Sequence, residues 1–137
     1  MSIHDLPSNL HELSLDHDKE LTADVVDLFC PVDARRDGAL AILICDDGGR
    51  LVQPIIIDGP PVQMDQHEVR LMLEHTVGVA GAGSSTILAI CRPGGMITDA
   101  DRRWHGLVID RCRALGIRLI GTYVATPEHV LRLPDPL

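Results

Sequence analysis

An apolar run, a Pro-Gly-Gly turn and a helix start follow one another within residues 84–101. The first residues of this stretch are apolar enough for a buried strand, Pro93 breaks the run, and Thr98 opens a helical pattern. In a mixed α/β domain, the loop that leaves the carboxyl end of a strand is the usual place for a binding or catalytic site. That loop carries Cys91 and Arg92 here, so the sequence predicts where a site lies and says less about its chemistry.

The pattern along the chain predicts an α/β fold of the α+β type, with a mixed β-sheet and two main helices in the order β-β-α-β-α-β-β. The predicted strands are residues 39–45, 50–58, 85–90, 118–125 and 129–133, and the predicted helices are residues 65–80 and 98–115. Asp65 and Thr98 are expected to cap the two helices, and Gly116 to end the second. Pro54 within the second strand indicates an edge strand or a bulge.

Charge separates residues 1–37, predicted to be an acidic N-terminal arm, from a body over residues 38–137. The arm has nine acidic and three basic residues, and the body has eleven acidic and nine basic residues, so the net charge of the chain is −8. The arm is expected to be loose over residues 1–20, helical over residues 22–29 and a linker over residues 33–38. A protein that binds nucleic acid needs a basic face and often aromatic rings for base stacking. This charge and an aromatic content of 2% make nucleic acid an unfavoured partner.

The four cysteines are Cys30, Cys45, Cys91 and Cys112, which are widely spaced and form no C-x-x-C pattern. Such spacing is typical of reduced thiols packed inside a cytosolic protein. The start of the chain has no basic end followed by an apolar core, and no apolar run approaches the ~20 residues of a membrane span. We therefore expect a cytoplasmic protein with no membrane contact and no cofactor.

Asp101 and His105 are the first candidates for chemistry, because residues four apart share one face of a helix. They suit two metal ligands or an acid–base pair, with His67 or Cys91 to complete the set. The alternative is a helix-capping Asp beside a surface His. Cys91 itself is either a nucleophile with a lowered pKa, paired with one of the two histidines, or an inert buried thiol.

The strand–turn–helix junction offers a second kind of site, for an anion. Free N–H groups and the helix dipole favour negative charge there, and Arg92, Gly94, Gly95 and Thr98 are the predicted ligand-binding residues. Two aspartates in the first helical turn oppose an anion, so the alternative is a tight turn followed by a capped helix.

Over residues 37–127 the chain resembles the RadC-like branch of the JAB/MPN (JAMM) domain family. Residues 42–59 are similar to the opening hairpin of that family, residues 66–69 to the Pro-Arg-Glu of its first helix, and residues 115–120 to the segment entering its late strand. Residues 90–95, Ile-Cys-Arg-Pro-Gly-Gly, stand where active members carry His-x-His-Pro-Ser-Gly. The resemblance implies a JAB/MPN architecture, which is cytidine-deaminase-like.

The same resemblance implies that the zinc chemistry of the family is missing. Its two zinc-binding histidines would fall on Ile90 and Arg92, and only Asp101 matches the third ligand, within Thr-x-x-Asp in place of Ser-x-x-Asp. Isoleucine has no ligand atom, and arginine is a permanent cation that repels a metal ion. The catalytic Glu of the family has Asp37 as its nearest, weak counterpart. The resemblance thus implies the fold without the metallohydrolase activity.

Three functions follow as expectations. The first is a non-catalytic module that binds a protein partner or a second copy of itself, through the acidic arm and the helix over residues 25–29. The second is a hydrolase with an altered site, which requires Cys91, Asp101 and His105 to converge within hydrogen-bond reach.

The third expectation is a nucleic-acid binder associated with DNA repair, which requires one basic face on the second helix. The arginines available for such a face are Arg102, Arg103, Arg111 and Arg113. A run of arginines on one helix is also typical of an ordinary solvated face.

Overall fold

The computed structural model describes residues 10–16, 18–59 and 64–134. The strands are β1 (Ala39–Cys45), β2 (Leu51–Asp58), β3 (Ser85–Cys91), β4 (Arg118–Ala125) and β5 (Val130–Arg132). The helices are α1 (Lys19–Phe29), α2 (Val32–Asp37), α3 (Gln66–His75) and α4 (Asp99–Leu115), with 3₁₀ turns at Leu10–Glu12 and Val77–Ala80. Within the described ranges, every helix is too short or too polar to cross a bilayer.

The strands form one mixed sheet in the order β2-β1-β3-β4-β5. β1 runs antiparallel to both of its neighbours, β3 and β4 are parallel, and β5 returns antiparallel to β4. Two parallel neighbours need a crossover, and α4 supplies it. The predicted α+β class with a mixed sheet is therefore confirmed.

The sheet has an apolar layer on each face, because β1 and β3 are buried along their whole length. α3 and α4 cover one face, where Leu73, Trp104 and Val108 pack on alternate residues of the central strands. α1 covers the opposite face with Val25 and Val26. A strand that is buried on both faces has an almost unbroken apolar sequence, so both central strands could be predicted from the sequence.

The edge position that Pro54 predicts for β2 is confirmed. β2 pairs only with β1 among the described strands, and its register shifts between Ile44 and Cys45, where Val52 is the extra residue. Proline lacks an N–H group and is therefore tolerated at a sheet edge. The side chains of β2 are half-buried or exposed along the whole strand.

The predicted helix caps are also confirmed, since they depend on neighbouring residues alone. Asp65 and Thr98 each form a capping box with the acidic residue three positions later. Gly116 ends α4 in the left-handed conformation with φ 69°. The first main helix is shorter than predicted: it ends at His75, and the hydroxyl of Thr76 donates to the Met72 carbonyl at 2.6 Å.

The linker predicted over residues 33–38 is wrong, because this segment is the helix α2. Pro31 precedes it and Asp33 lies in its first turn, as is typical of a helix start. The short helix is held by Arg35, which is buried and donates to the carbonyls of Cys30 and Thr126.

The N-terminal segment is part of the packed structure wherever it is described. Leu15 is 1% exposed and Ser14 forms a β-bridge with Arg50. Val25 and Val26 face the sheet, so the apolar side of α1 serves the core and does not form a contact surface. The rest of the predicted loose arm, residues 1–9 and 17, lies outside the described residues.

Candidate functional site

Arg92 and Asp101 join the end of β3 to the start of α4. The guanidinium Nη1 of Arg92 donates to Oδ1 of Asp101 at 2.6 Å, and Asp101 is 0% exposed. A second guanidinium nitrogen, Nη2, donates to the carbonyl of Met96 in the connecting loop. The arginine therefore closes the loop over the aspartate.

The second carboxylate oxygen of Asp101 belongs to the helix cap. Oδ2 accepts from the Thr98 backbone N–H at 2.8 Å, and the Thr98 hydroxyl accepts from the Asp101 N–H at 3.2 Å. Both carboxylate oxygens thus accept hydrogen bonds within the protein. No group of three or more His, Cys, Asp or Glu side chains in the described part of the chain is arranged to hold a metal ion.

The predicted anion ligands lie around this closed ion pair. Gly95 adopts φ 99°, a conformation that favours glycine, and the space beside Gly94 is open. The charge of Arg92 is directed at Asp101, and the Thr98 hydroxyl is engaged by the helix start. Ligand binding by these four residues stays a prediction, and the local charge does not favour an anion.

His105 lies inside the protein, not on its surface as the capping alternative expected. It is 2% exposed, and its Nδ1 lies 2.8 Å from the hydroxyl of Thr122 on β4. This contact crosses from α4 to the sheet, so His105 helps to seat the helix. Thr122 was not identified from the sequence, because its partner lies 17 positions earlier in the chain.

The remaining candidates lie away from Asp101 and His105. Cys91 lies on the opposite face of the sheet, in the apolar layer under α1 that also contains Cys30. His67 is exposed on α3, with its Nδ1 3.3 Å from an Arg70 guanidinium nitrogen. The structure therefore brings Asp101 and His105 to one side of the sheet and separates Cys91 from them.

The arginines of α4 are mixed with acidic residues. Arg102, Arg103 and Arg113 are exposed, but Arg102 pairs with Asp99 at 2.9 Å and the exposed Asp110 lies on the same helix. The alternation leaves less positive charge on this helix than the number of arginines alone indicates.

One pocket beside α4 has a volume of about 230 Å³ and is lined by Met64, Ala100, Arg103, Trp104 and Leu107. The Trp104 indole Nε1 is buried and has no hydrogen-bond partner among the described residues. Arg103 is the one charged residue among the side chains that line this pocket.

Nothing in the sequence indicates the groove between β2 and the end of α3, which has a volume of about 380 Å³. Its lining residues are Ile44, Val52, Gln53, Ile55, His75, Thr76, Val79 and Ala80. Val52 is 65% exposed and Val79 is 79% exposed, which is unusual for two valines that share one groove. Pro54 allows the edge strand to be predicted from the sequence. The groove itself could not be predicted, because it forms only where the 3₁₀ turn places Val79 beside β2.

Comparison of the chain with protein-family models, with curated proteins and with solved structures finds no match.

Proposed function

We propose that this chain is a non-catalytic domain of the JAB/RadC-like type that binds an extended segment of another protein at the β2 edge. The observation that carries the proposal is the groove beside β2, with its exposed Val52 and Val79. An extended peptide adds to an exposed strand through backbone hydrogen bonds, and its alternate side chains enter the adjoining groove. The closed Arg92–Asp101 pair supports the non-catalytic part, since both oxygens of the one matching ligand are already engaged.

The charge at the strand favours a basic partner. The exposed carboxylates of Asp47 and Asp58 lie at the two ends of β2, in the preceding turn and at its last residue. A second copy of this chain would bring another net charge of −8 to the same edge. The occupant is therefore a segment with alternating β-branched and basic residues.

The binding test uses two fluorescent hexapeptides, Lys-Val-Arg-Ile-Lys-Val and Glu-Val-Glu-Ile-Glu-Val, measured by fluorescence anisotropy. The basic peptide is expected to bind the wild-type protein, and Val52→Asp or Val79→Asp is expected to weaken binding at least tenfold. Met96→Asp is the matched control, because Met96 is 77% exposed but lies in the loop before α4. Equal binding of both peptides, or equal loss in all three variants, would overturn the β2 site.

Two further measurements separate the alternatives. Sedimentation of the full chain is expected to show a monomer, and a dimer broken by Val52→Asp would assign this edge to a second copy instead. Elemental analysis of the untagged protein is expected to show no zinc. Near-stoichiometric zinc that falls in Asp101→Ala would overturn the non-catalytic part and direct the search to peptide or isopeptide substrates.

A further inference from the structure

The pocket beside α4 lies at the start of α3, whereas the β2 groove is lined by residues at the end of that helix, His75 and Thr76. One wall of the pocket is Met64, which precedes α3. The other described walls are side chains of α4, namely Ala100, Arg103, Trp104 and Leu107. A ligand in this pocket is therefore independent of a peptide at the β2 edge.

Trp104 brings an unused hydrogen-bond donor to this pocket. Its side chain is 1% exposed, and its indole Nε1 has no acceptor among the described residues. A buried indole N–H usually has a partner, because an unpaired donor loses its hydrogen bond to water without replacement. An N–H group in this position is satisfied by an acceptor that a ligand brings.

Arg103 brings a positive charge that is not neutralised within the protein. The two aspartates in the first turn of α4 are each paired with another arginine, at 2.9 Å and 2.6 Å. Asp110, the next acidic residue of the helix, lies about two turns beyond Arg103. Within the described ranges, Arg103 forms no ion pair of its own. The acceptor that suits this pocket is therefore an anion.

We propose that this pocket binds a small carboxylate with a compact apolar body. One carboxylate oxygen pairs with the guanidinium of Arg103, and the other accepts the indole N–H of Trp104, the next residue of the helix. The apolar body lies against Ala100, Leu107 and Met64. Because Nε1 is buried, the carboxylate reaches it as a neighbouring side chain moves aside. Met64 suits this movement, since methionine is unbranched and adapts its shape.

The volume of the pocket limits the size of the ligand. The pocket measures about 230 Å³, and a cavity of about 150 Å³ is enough to hold a benzene ring. The space therefore suits a single six-membered ring together with its carboxylate. A phosphate ester is a poorer match, because Arg103 is the one cation among apolar side chains.

The experiment uses the one tryptophan of the chain as its reporter. The full, isotopically labelled chain is titrated with cyclohexanecarboxylate and, separately, with the uncharged cyclohexanecarboxamide, while NMR follows the indole N–H signal. The carboxylate is expected to move this signal with a Kd on the order of 1 mM, as suits a ligand of about nine non-hydrogen atoms. The carboxamide is expected to bind at least tenfold more weakly. A signal that stays in place at about ten times that concentration, or equal affinity for the two compounds, would overturn the proposal.

Variants then test the position of the charge. Arg103→Met is expected to weaken binding of the carboxylate at least tenfold and to leave the affinity for the carboxamide unchanged. Arg102→Met is the matched control, because Arg102 is the adjacent exposed arginine but pairs with Asp99 and is not among the described residues that line the pocket. Equal loss in the two arginine variants would overturn the role of Arg103.

A third variant tests the pocket itself. Ala100 is half-buried in the pocket wall, so Ala100→Leu fills the space and is expected to abolish binding of both compounds. Wild-type affinity in this variant would place the ligand elsewhere and overturn the site. The titration of the wild-type chain stands on its own if any variant fails to fold.

Discussion

The Arg92 guanidinium lies 2.6 Å from the Asp101 carboxylate, and the carboxylate is fully buried while the arginine side chain is 19% exposed. The carboxylate is thus occupied by a cation from within the chain. The pair links the end of a central strand to the cap of the longest helix, so its first role is structural.

Arg92→Met is expected to lower the free energy of unfolding by about 3 kcal/mol, because it leaves the buried Asp101 carboxylate without its cation. Urea denaturation of both proteins measures the difference. Arg102→Met is the control: Arg102 pairs with Asp99 on the exposed side of the same helix, and its loss is expected to cost about 0.5 kcal/mol or less. Equal losses in the two variants would contradict a buried, structural pair.

Thr122→Val is expected to destabilise the protein by about 1–3 kcal/mol, because it removes the hydroxyl that His105 contacts at 2.8 Å inside the protein. Thr122→Ser keeps the hydroxyl and is expected to retain more of the stability. The comparison uses urea midpoints at neutral pH. A valine variant as stable as the wild type would contradict the role of this hydroxyl.

Arg35→Met is expected to lower the free energy of unfolding by at least about 3 kcal/mol. The guanidinium donates hydrogen bonds to the carbonyls of Asp27, Cys30 and Thr126 and to the Asp27 carboxylate, and all of them are lost in the variant. The neighbouring Arg36 is exposed, so Arg36→Met is expected to change stability by about 0.5 kcal/mol at most. Thermal unfolding followed by circular dichroism compares the two. A small loss in both would mean that α2 is held by its apolar contacts instead.

Gly116→Ala is expected to destabilise the protein by about 1 kcal/mol, because φ is 69° at this position and an added Cβ would meet the Ala82 side chain at 3.4 Å. Gly106 lies within α4 with open space beside it, so Gly106→Ala is expected to stabilise the helix by about 0.5–1 kcal/mol. The urea midpoint is therefore expected to fall in Gly116→Ala and to rise in Gly106→Ala. A gain in both variants would rule out the left-handed end of α4.

Acid is expected to weaken the β1–β2 hairpin through Asp46. The backbone N–H groups of Arg50 and Gly48 donate to its carboxylate and hold the pKa of Asp46 below the usual value. A carboxyl whose pKa is lower in the folded state contributes its full stability above the unfolded pKa of roughly 4 and loses it as pH falls through the folded pKa. Asp46→Asn keeps an acceptor oxygen and removes the titration. Between roughly pH 6 and pH 3, the wild-type urea midpoint should therefore fall further than that of the variant; parallel curves would contradict the assignment.

The sequence predicts the parts of this fold that depend on near neighbours. The apolar runs of β1 and β3, the caps at Asp65 and Thr98, and the end of α4 at Gly116 all come from residues within a few positions of one another. These patterns establish the class and the order of the elements, because burial on both faces and capping leave a local composition.

The features missed from the sequence depend on contacts between distant residues. α2 has the polar composition of a linker, and it is a helix because Arg35 reaches a carbonyl 91 positions away. His105 is polar, so the sequence leaves a surface position open for it, and it is buried with its ring nitrogen against the Thr122 hydroxyl on β4. Cys30 and Cys91 share the apolar layer under α1 because that helix docks on the sheet, which no spacing pattern in the sequence records.

The central strands have a consequence for the chain before it is folded. β1 and β3 are each seven residues long and contain neither charge nor proline, which is the composition that pairs between molecules in aggregates. β1 is quickly sheltered by β2, which follows it across a short turn, whereas one side of β3 stays open until α4 and β4 have been synthesised. During synthesis, one side of β3 is therefore open to pairing with another chain until β4 follows it.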